Sequence, residues 1–539
     1  MKNIKEKISI LLITTLSCIN TMAVQSGKCG DNATWVLSDD SVLTISGTGE
    51  IFPLDNIITK AKEIIIETGI TNISNHNVFS WNNSVTSISI PNSLTKFNGN
   101  EFNLCEKLIY NSYDNAWYLG NEENPYLILI KAKSKSITQC AINERCKDIA
   151  NSAFEDCVML EGINIPNSIK KIGNYAFYNC KDLKRISISE SVTHIGDFAF
   201  KKCARLTSVS IPNKIKQIGD GVFEGCINLE YVLLPDTIYC IGQKAFDGCA
   251  RLKSIRFSKH LYSIGERAFT GCKELCVEIP ENILTINEST YEGCHNLMEI
   301  PHIIFNIKER AFANCIGLKN IAIETEEIEK EAFRDCTELD SVSFYTQNLG
   351  EGAFEGCTKL KKVTILKSLT EIKDNTFKNC KELTNISIPN SVVKIGFNAF
   401  DNCDSLNYNR YDSLCYIGNE ENRFHALIHP ESDSVTECQI NEECDIVADG
   451  AFVCHYRLKK VSIPEHIKRI GNSPFWGCLG LTTIICNSPT PPVIGCNNLG
   501  DFISKPTLYV PKESIKAYKK ADGWRNFKKI KAIESLNKK

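Results

Sequence analysis

The sequence predicts a β-rich solenoid of about 23-residue coils with one parallel sheet on a concave face, an N-terminal β cap and a C-terminal cap. Three observations predict it. A phenylalanine followed three residues later by cysteine steps by 23 residues through Phe154, Phe177, Phe200, Phe223, Phe246 and Phe269, and the beat resumes at Phe377, Phe400 and Phe475. Pro166, Pro212, Pro235, Pro280, Pro301, Pro389 and Pro464 close short apolar alternations, and proline cannot donate to a strand ladder. An Ile-Gly pair recurs from Ile172-Gly173 to Ile470-Gly471. A coil this small cannot bury its own apolar side chains, but coils stacked about 4.8 Å apart bury one another's.

The stretch from Cys180 to Cys203 shows the unit. Leu183, Ile186 and Ile188 space a short strand with one buried face, and Val192 is the inward residue of the turn that follows. Ile195-Gly196 comes next; glycine there is expected to permit a backbone conformation that a side chain would hinder. Ala199-Phe200 then plugs the coil. Counting from Phe79 to Phe475 gives about 18 coils in one elongated domain, an arc of about 85 Å at the strand spacing. The steps shorten to 22 and then 21 residues through Tyr291, Phe312, Phe333 and Phe354. Ile323 to Ile328 spans five positions where Ile188 to Ile195 spans seven, which predicts tighter coils and a local change of curvature.

Two islands break the beat in the same way, with 52 residues from Phe102 to Phe154 and again from Phe400 to Phe452. Each holds Gly-Asn-Glu-Glu-Asn (Gly120–Asn124, Gly418–Asn422) between apolar runs, which predicts a hairpin or protruding loop. Cys140 and Cys438 align with an inward strand position, and Cys146 and Cys444 with the turn valine. The islands, 103–150 and 404–448, read as a duplicated module within a solenoid spanning 76–485.

Residues 1–23 read as a secretory signal peptide: Lys2, Lys5 and Lys7 precede an apolar run from Ile8 to Cys18, with small residues up to Ala23. The run is too short to span a membrane. Residues 24–75 form the N-terminal cap and first coil, with Trp35–Leu37 and Val42–Ile45 as a hairpin around Ser-Asp-Asp-Ser. Residues 486–539 form the C-terminal cap, from Pro489–Pro492 to an amphipathic helix carrying Ile515, Tyr518, Trp524 and Phe527. No later run is long and apolar enough to cross a membrane and no anchor motif is read at Lys539, so the expected location is secreted or cell surface.

Twenty-six cysteines in a secreted chain invite a disulfide framework. Fourteen of them sit at one coil position, however, where parallel side-chain directions disfavour pairing and a buried thiol serves as a small hydrophobe. The ladder is therefore expected to be reduced. Cys29, Cys415, Cys486 and Cys496 lie off it and are the better disulfide candidates. No metal is expected, since no Cys-x-x-Cys is paired with histidines, and His425 and His429 fall in a predicted strand where that spacing brings no ligands together.

The formal charge of −3 argues against a nucleic-acid binder. Gly47-x-Gly49 lacks the helix and lysine of a phosphate loop, and the nine histidines form no H-E-x-x-H or triad pattern. Neither enzyme activity nor a cofactor is expected. Binding is expected on the outward residues of the strands. Arg185 and Ser187, Ser208 and Ser210, Tyr231 and Leu233, and Ser254 and Arg256 form the candidate patch, because tyrosine and arginine often anchor interfaces. The two Gly-Asn-Glu-Glu-Asn loops form a second one. Sequons at Asn32, Asn72, Asn82, Asn287 and Asn385 matter if the source is eukaryotic.

Three stretches together resemble one family. They are the I-P-x-S-V-x-x-I-G-x-x-A-F-x-x-C coil wording, the Ser-Gly-Lys-Cys-Gly-Asp-Asn-Ala-Thr-Trp entry from Ser26, and the Leu-Tyr-Val-Pro-Lys…Tyr…Gly-Trp-Arg-Asn-Phe segment from Leu508. From about Ser26 to Ile533 the chain resembles the BspA-like leucine-rich repeat surface proteins of host-associated bacteria and some mucosal protozoa. The resemblance implies an α/β-type leucine-rich repeat solenoid. It also implies non-enzymatic adhesion, as in virulence, to host cells, matrix glycoproteins such as fibronectin, or other microbes. It carries over no catalytic residue. Many relatives have a C-terminal anchor or membrane span that is not read here. A shed decoy or immune-modulating antigen, or a passive surface coat, are the alternative readings.

Overall fold

The structure is a computed structural model that describes residues 25–52, 54, 58–73, 79, 82–97, 105–366, 369–495, 499 and 504–538. The signal-peptide reading of residues 1–23 and the disulfide reading of Cys496 lie outside these residues. The chain divides into two compact units, Met1–Cys203 and Ala204–Lys539.

The first unit opens with an antiparallel meander, Gln25–Lys28, Asn32–Leu37 and Val42–Glu50. Strand Glu63–Ile66 then pairs parallel to Val42–Glu50, and Ser87–Ser89 to Glu63–Ile66, so the cap passes directly into the coil stack. Alternation buries Ala33, Trp35 and Leu37 on one side of the meander. In the first island, strands Asn111–Tyr113, Ala116–Leu119 and Ile128–Ala132 are antiparallel, and Asp148–Ile149 returns to parallel pairing on Ile128–Ala132.

In both units each regular coil contributes to two parallel rows, not one. The first row holds the predicted strands, such as Ser208–Ser210, Tyr231–Leu233 and Ser254–Ile255. The second holds two-residue strands at the Ile-Gly position, such as Gln217–Ile218, Cys240–Ile241 and Ser263–Ile264. Sequence periodicity missed the second row because two residues are too few to show alternation.

The Ile-Gly glycine also has a different cause from the one expected. Gly265 is not in the left-handed region; a Cβ there would lie 2.6 Å from the Gln243 backbone nitrogen and 2.7 Å from the Gly242 carbonyl carbon. The constraint is close approach of the preceding coil. Left-handed backbone falls instead two residues before and after each plug aromatic, as at Lys244 and Gly248 around Phe246 or Asn375 and Asn379 around Phe377. Glycine, asparagine and aspartate recur at these sites because they tolerate that region best.

These turns stack through a polarised set of hydrogen bonds. Tyr175, Phe177 and Asn179 donate their N–H groups to the Asp197, Ala199 and Lys201 carbonyls of the next coil. The same direction repeats along the second unit, as from Phe246 to Ala268 and from Phe333 to Ala353. Amides thus point toward the C-terminal side of each coil and carbonyls toward the N-terminal side. The plug rings stack in register, with centroids 5.4 Å apart for Phe246 and Phe269 and 5.3 Å apart for Phe333 and Phe354.

In the shortened coils the first-row strands lengthen to Asn320–Glu324 and Ser341–Tyr345. The following turns are clipped by Thr325 and Thr346, whose hydroxyls donate to the Glu327 and Asn348 carbonyls at 3.1 and 2.9 Å.

The C-terminal cap departs from the expected helix. Helix Ile515–Tyr518 is a single turn between 3-10 segments Lys512–Ser514 and Trp524–Asn526, and strand Lys529–Ala532 extends the first row beyond Thr507–Val510. Tyr518 and Trp524 are buried and tie down the proline-rich segment, donating to the Ser488 carbonyl at 2.8 Å and the Pro492 carbonyl at 2.9 Å. Gly523, at φ +74°, breaks the apolar periodicity that predicted one continuous helix.

Candidate binding surface

Strand alternation decides which side chains are free to bind. In the first unit, strand Arg185–Ser187 buries Ile186 and exposes Arg185 and Ser187. Beside it, Lys184 pairs with Glu161 at 3.1 Å. In the second unit, Ser208 and Ser210 are exposed opposite Tyr231 and Leu233, and Ser254 is exposed opposite Tyr231. Arg256 is exposed just past its strand. Tyr231 and Leu233 are 53% and 66% exposed, large values for apolar side chains within a sheet row. Lys253 Nζ lies 5.4 Å from the Tyr231 ring centroid and pairs with Glu230 at 2.6 Å. The second unit therefore presents an apolar pair, with serines on the strands either side and a cation beside it. Arg185 and Ser187 belong to the first unit, so the eight predicted residues divide between the two.

The Gly-Asn-Glu-Glu-Asn loops are hairpin connections, but their asparagines are structural. Asn121 and Asn419 donate to the Ile90 and Ile388 carbonyls at 2.7 and 2.8 Å. Asn124 and Asn422 donate to the Arg145 and Glu443 carbonyls, each at 2.8 Å. The loops are held to neighbouring coils on both sides and do not protrude freely.

All 24 described cysteines are free thiols. Cys29, Cys415 and Cys486 are among them, each buried with its thiol pushed up to about 11, chiefly by burial, so the disulfide reading of these three is corrected. Cys29 and Cys486 lie in apolar core clusters, Cys415 is buried near Glu431 and Arg410, and Cys486 accepts the Tyr518 hydroxyl at 3.2 Å. Ladder thiols do more than fill space. Cys180, Cys249 and Cys403 each donate to the carbonyl of the plug phenylalanine one coil back, at 3.1 Å. Cysteine thus combines a small apolar volume with a donor that reaches this carbonyl.

Among the described residues no group of His, Cys, Asp and Glu could hold a metal ion. His425 is buried between Asp445 and the Val392 carbonyl, each at 2.9 Å, a structural role. No helix among the described residues is long and apolar enough to cross a membrane.

The repeat geometry agrees with sequence comparison. The profile of the BspA type leucine rich repeat region matches in six copies, over residues 56–118, 132–239, 216–339, 305–425 and 429–497. The chain belongs to this family. BspA-type proteins are leucine-rich repeat surface proteins. Solved structures similar to the chain include a leucine-rich repeat protein from Bacteroides ovatus, at 23% identity and TM-score 0.45, covering 85% of this chain and 93% of that one. A leucine rich cell surface protein from Faecalibacterium prausnitzii is 19% identical with TM-score 0.32, covering 86% and 95%. A Eubacterium ventriosum leucine-rich repeat protein is 21% identical with TM-score 0.31, covering 74% and 99%. No curated protein matches the chain.

Proposed function

We propose that this BspA-type chain is a non-enzymatic adhesion protein, exported by residues 1–23 and displayed on or released from the cell surface. It binds surface or matrix proteins of a host or of other microbes through the outward residues of its first strand row. The observation that carries this reading is the exposed Tyr231–Leu233 pair, set among Ser208, Ser210, Ser254 and Arg256. Solvated sheet faces ordinarily carry polar residues at such positions, and an apolar pair with cations beside it has the chemistry of an interface anchor. Arg185 and Ser187 extend the same row chemistry in the first unit.

The test pairs localisation with binding. Protease treatment of intact producing cells, with a parallel assay of the medium, reports whether the protein is displayed or shed. A panel of matrix and host-cell surface proteins is then screened with the wild type and with Tyr231→Ala/Leu233→Ala. Loss of at least tenfold in affinity, about 1.4 kcal/mol, supports the adhesin. Binding by both proteins alike moves the contact away from this strand, and binding by neither points to the coat.

A further inference from the structure

The second island interrupts the polarised turn stack and leaves its amides and carbonyls facing a cleft. In the second unit, every described plug aromatic other than Phe400 donates its N–H to the coil ahead, or has a partner. Asn398, Phe400 and Asn402 donate none to any described residue. Across the island, the Asp449 and Ala451 carbonyls, whose counterparts in other coils accept these bonds, accept none from any described residue. The ring stack breaks at the same place. Phe377 stacks on Phe400 at 5.6 Å and Phe452 on Phe475 at 5.2 Å, but Phe400 and Phe452 do not stack on each other. The two walls meet where Phe397 lies against Gly450, and together they line a cleft of about 1440 Å³.

The first island shows that such carbonyls need not stay open. There Ala132 donates its N–H to the Ala153 carbonyl at 2.8 Å, and Lys135 Nζ donates to the Glu155 carbonyl. At the matching offsets the second island has Pro430, which has no N–H, and Asp433, which cannot donate as a carboxylate. Among the described residues the Val453 carbonyl, the counterpart of Glu155, takes only the His455 ring at 3.1 Å. Two substitutions between the duplicated modules thus remove the donors that closed the first. The cleft is also acidic. Asp401, Asp404, Glu431, Asp433 and Asp449 line it against one guanidinium, Arg410, which already faces Glu431 at 3.5 Å.

We propose that this cleft binds an extended, cationic peptide segment of a partner protein, which completes the interrupted stack. Amides on alternate residues at 398, 400 and 402 form one wall, and carbonyls at 449 and 451 form the other. A peptide backbone can meet both, since its alternate peptide units each point a carbonyl to one side and an N–H to the other. Lysine or arginine side chains on that segment meet the lining carboxylates. This site is separate from the Tyr231–Leu233 surface and does not depend on it.

The full chain is titrated at low ionic strength with a fluorescein-labelled peptide alternating lysine and alanine over seven residues. Glutamate-alanine and backbone N-methylated lysine-alanine peptides are run alongside, read by anisotropy. The lysine peptide is expected to bind and the glutamate peptide not. N-methylation is expected to weaken binding about tenfold, as the loss of two hydrogen bonds implies. Pro430→Ala restores the amide that closes the first island without changing charge, and is expected to weaken binding several-fold; P430A/D433K is expected to abolish it. Both variants carry residues that the chain already accommodates at 132 or 135, and thermal unfolding checks that they fold. Equal binding by the N-methylated peptide, or by Pro430→Ala, overturns the proposal, because charge alone would then suffice. No binding by the lysine peptide overturns it too. Self-association of the wild type that Pro430→Ala abolishes also overturns it, since the occupant would then be a second copy of this chain.

Discussion

Two glycines of one coil separate steric exclusion from backbone conformation as reasons for their presence. An alanine Cβ at 265 would lie 2.6 Å from Gln243 N, 2.7 Å from Gly242 C and 2.9 Å from Gln243 Cα. These are backbone atoms and cannot swing aside, so reaching an ordinary contact moves the coils apart by about 0.7 Å in a close-packed interior. That displacement stretches the Gly265 N–H to Ile241 carbonyl bond, now 2.8 Å, and strains the adjoining Cys240–Ser263 and Ile241–Ile264 pairing. Overpacking costs about 2 kcal/mol and a weakened hydrogen bond about 1 kcal/mol, so Gly265→Ala is expected to cost about 3 kcal/mol. Gly271 lies six residues on, with φ +72° and no atom nearer to an added Cβ than 3.8 Å. Gly271→Ala therefore bears only the left-handed penalty, about 1 kcal/mol. Solenoid coils open locally, so amide hydrogen exchange across residues 240–275 is the assay. A difference of about 2 kcal/mol makes exchange roughly 30-fold faster in Gly265→Ala than in Gly271→Ala. Equal protection, or the reverse order, would refute the claim that coil contact and not conformation excludes a side chain at the Ile-Gly site.

Three further outcomes are expected. The Tyr291 hydroxyl is buried with no hydrogen-bond partner among the described residues, while its ring stacks between Phe269 and Phe312. Tyr291→Phe should keep the stack and stabilise the chain by about 1 kcal/mol, seen as slower local exchange; destabilisation would mean that the hydroxyl is satisfied. Burial pushes the thiols of Cys336 and Cys403 up to about 12 from the ordinary 9.0. At pH 8 their thiolate fraction is about one in ten thousand, so mass mapping after brief alkylation should find exposed Cys276 modified and these two intact. Folding favours the protonated thiols. Their contribution is thus complete below pH 9 and lost as pH rises from 9 toward 12, which a midpoint falling with pH across that window would register. Asn82 is 1% exposed, with its amide on the Ala61 carbonyl, whereas Asn32 and Asn385 are exposed. Folded protein recovered from a eukaryotic secretory host should carry glycan at Asn32 or Asn385 and none at Asn82, by glycopeptide mapping.

The sequence by itself determined whatever repeats with a long enough period to register. The 23-residue beat, the first-row strands, the plug phenylalanines and the buried cysteines at one coil position all follow from it, because each coil must bury the same face against its neighbours. Outward placement of Tyr231 and Leu233 was legible for the same reason, since alternation about a buried Val232 leaves only one side for them. The tertiary structure alone decided what depends on contact between coils. The second row rests on two-residue strands too short for a pattern, and the Ile-Gly glycine answers to a backbone 23 residues earlier. Cys29, Cys415 and Cys486 are each buried as free thiols, Cys29 and Cys486 in separate apolar clusters. The cleft of the second island is the clearest case. Pro430 and Asp433 are unremarkable in sequence, and only the coil stack shows which carbonyls they leave without a donor. Hydrogen bonds between coils join residues about one period apart, and a missing one leaves no mark on the local sequence.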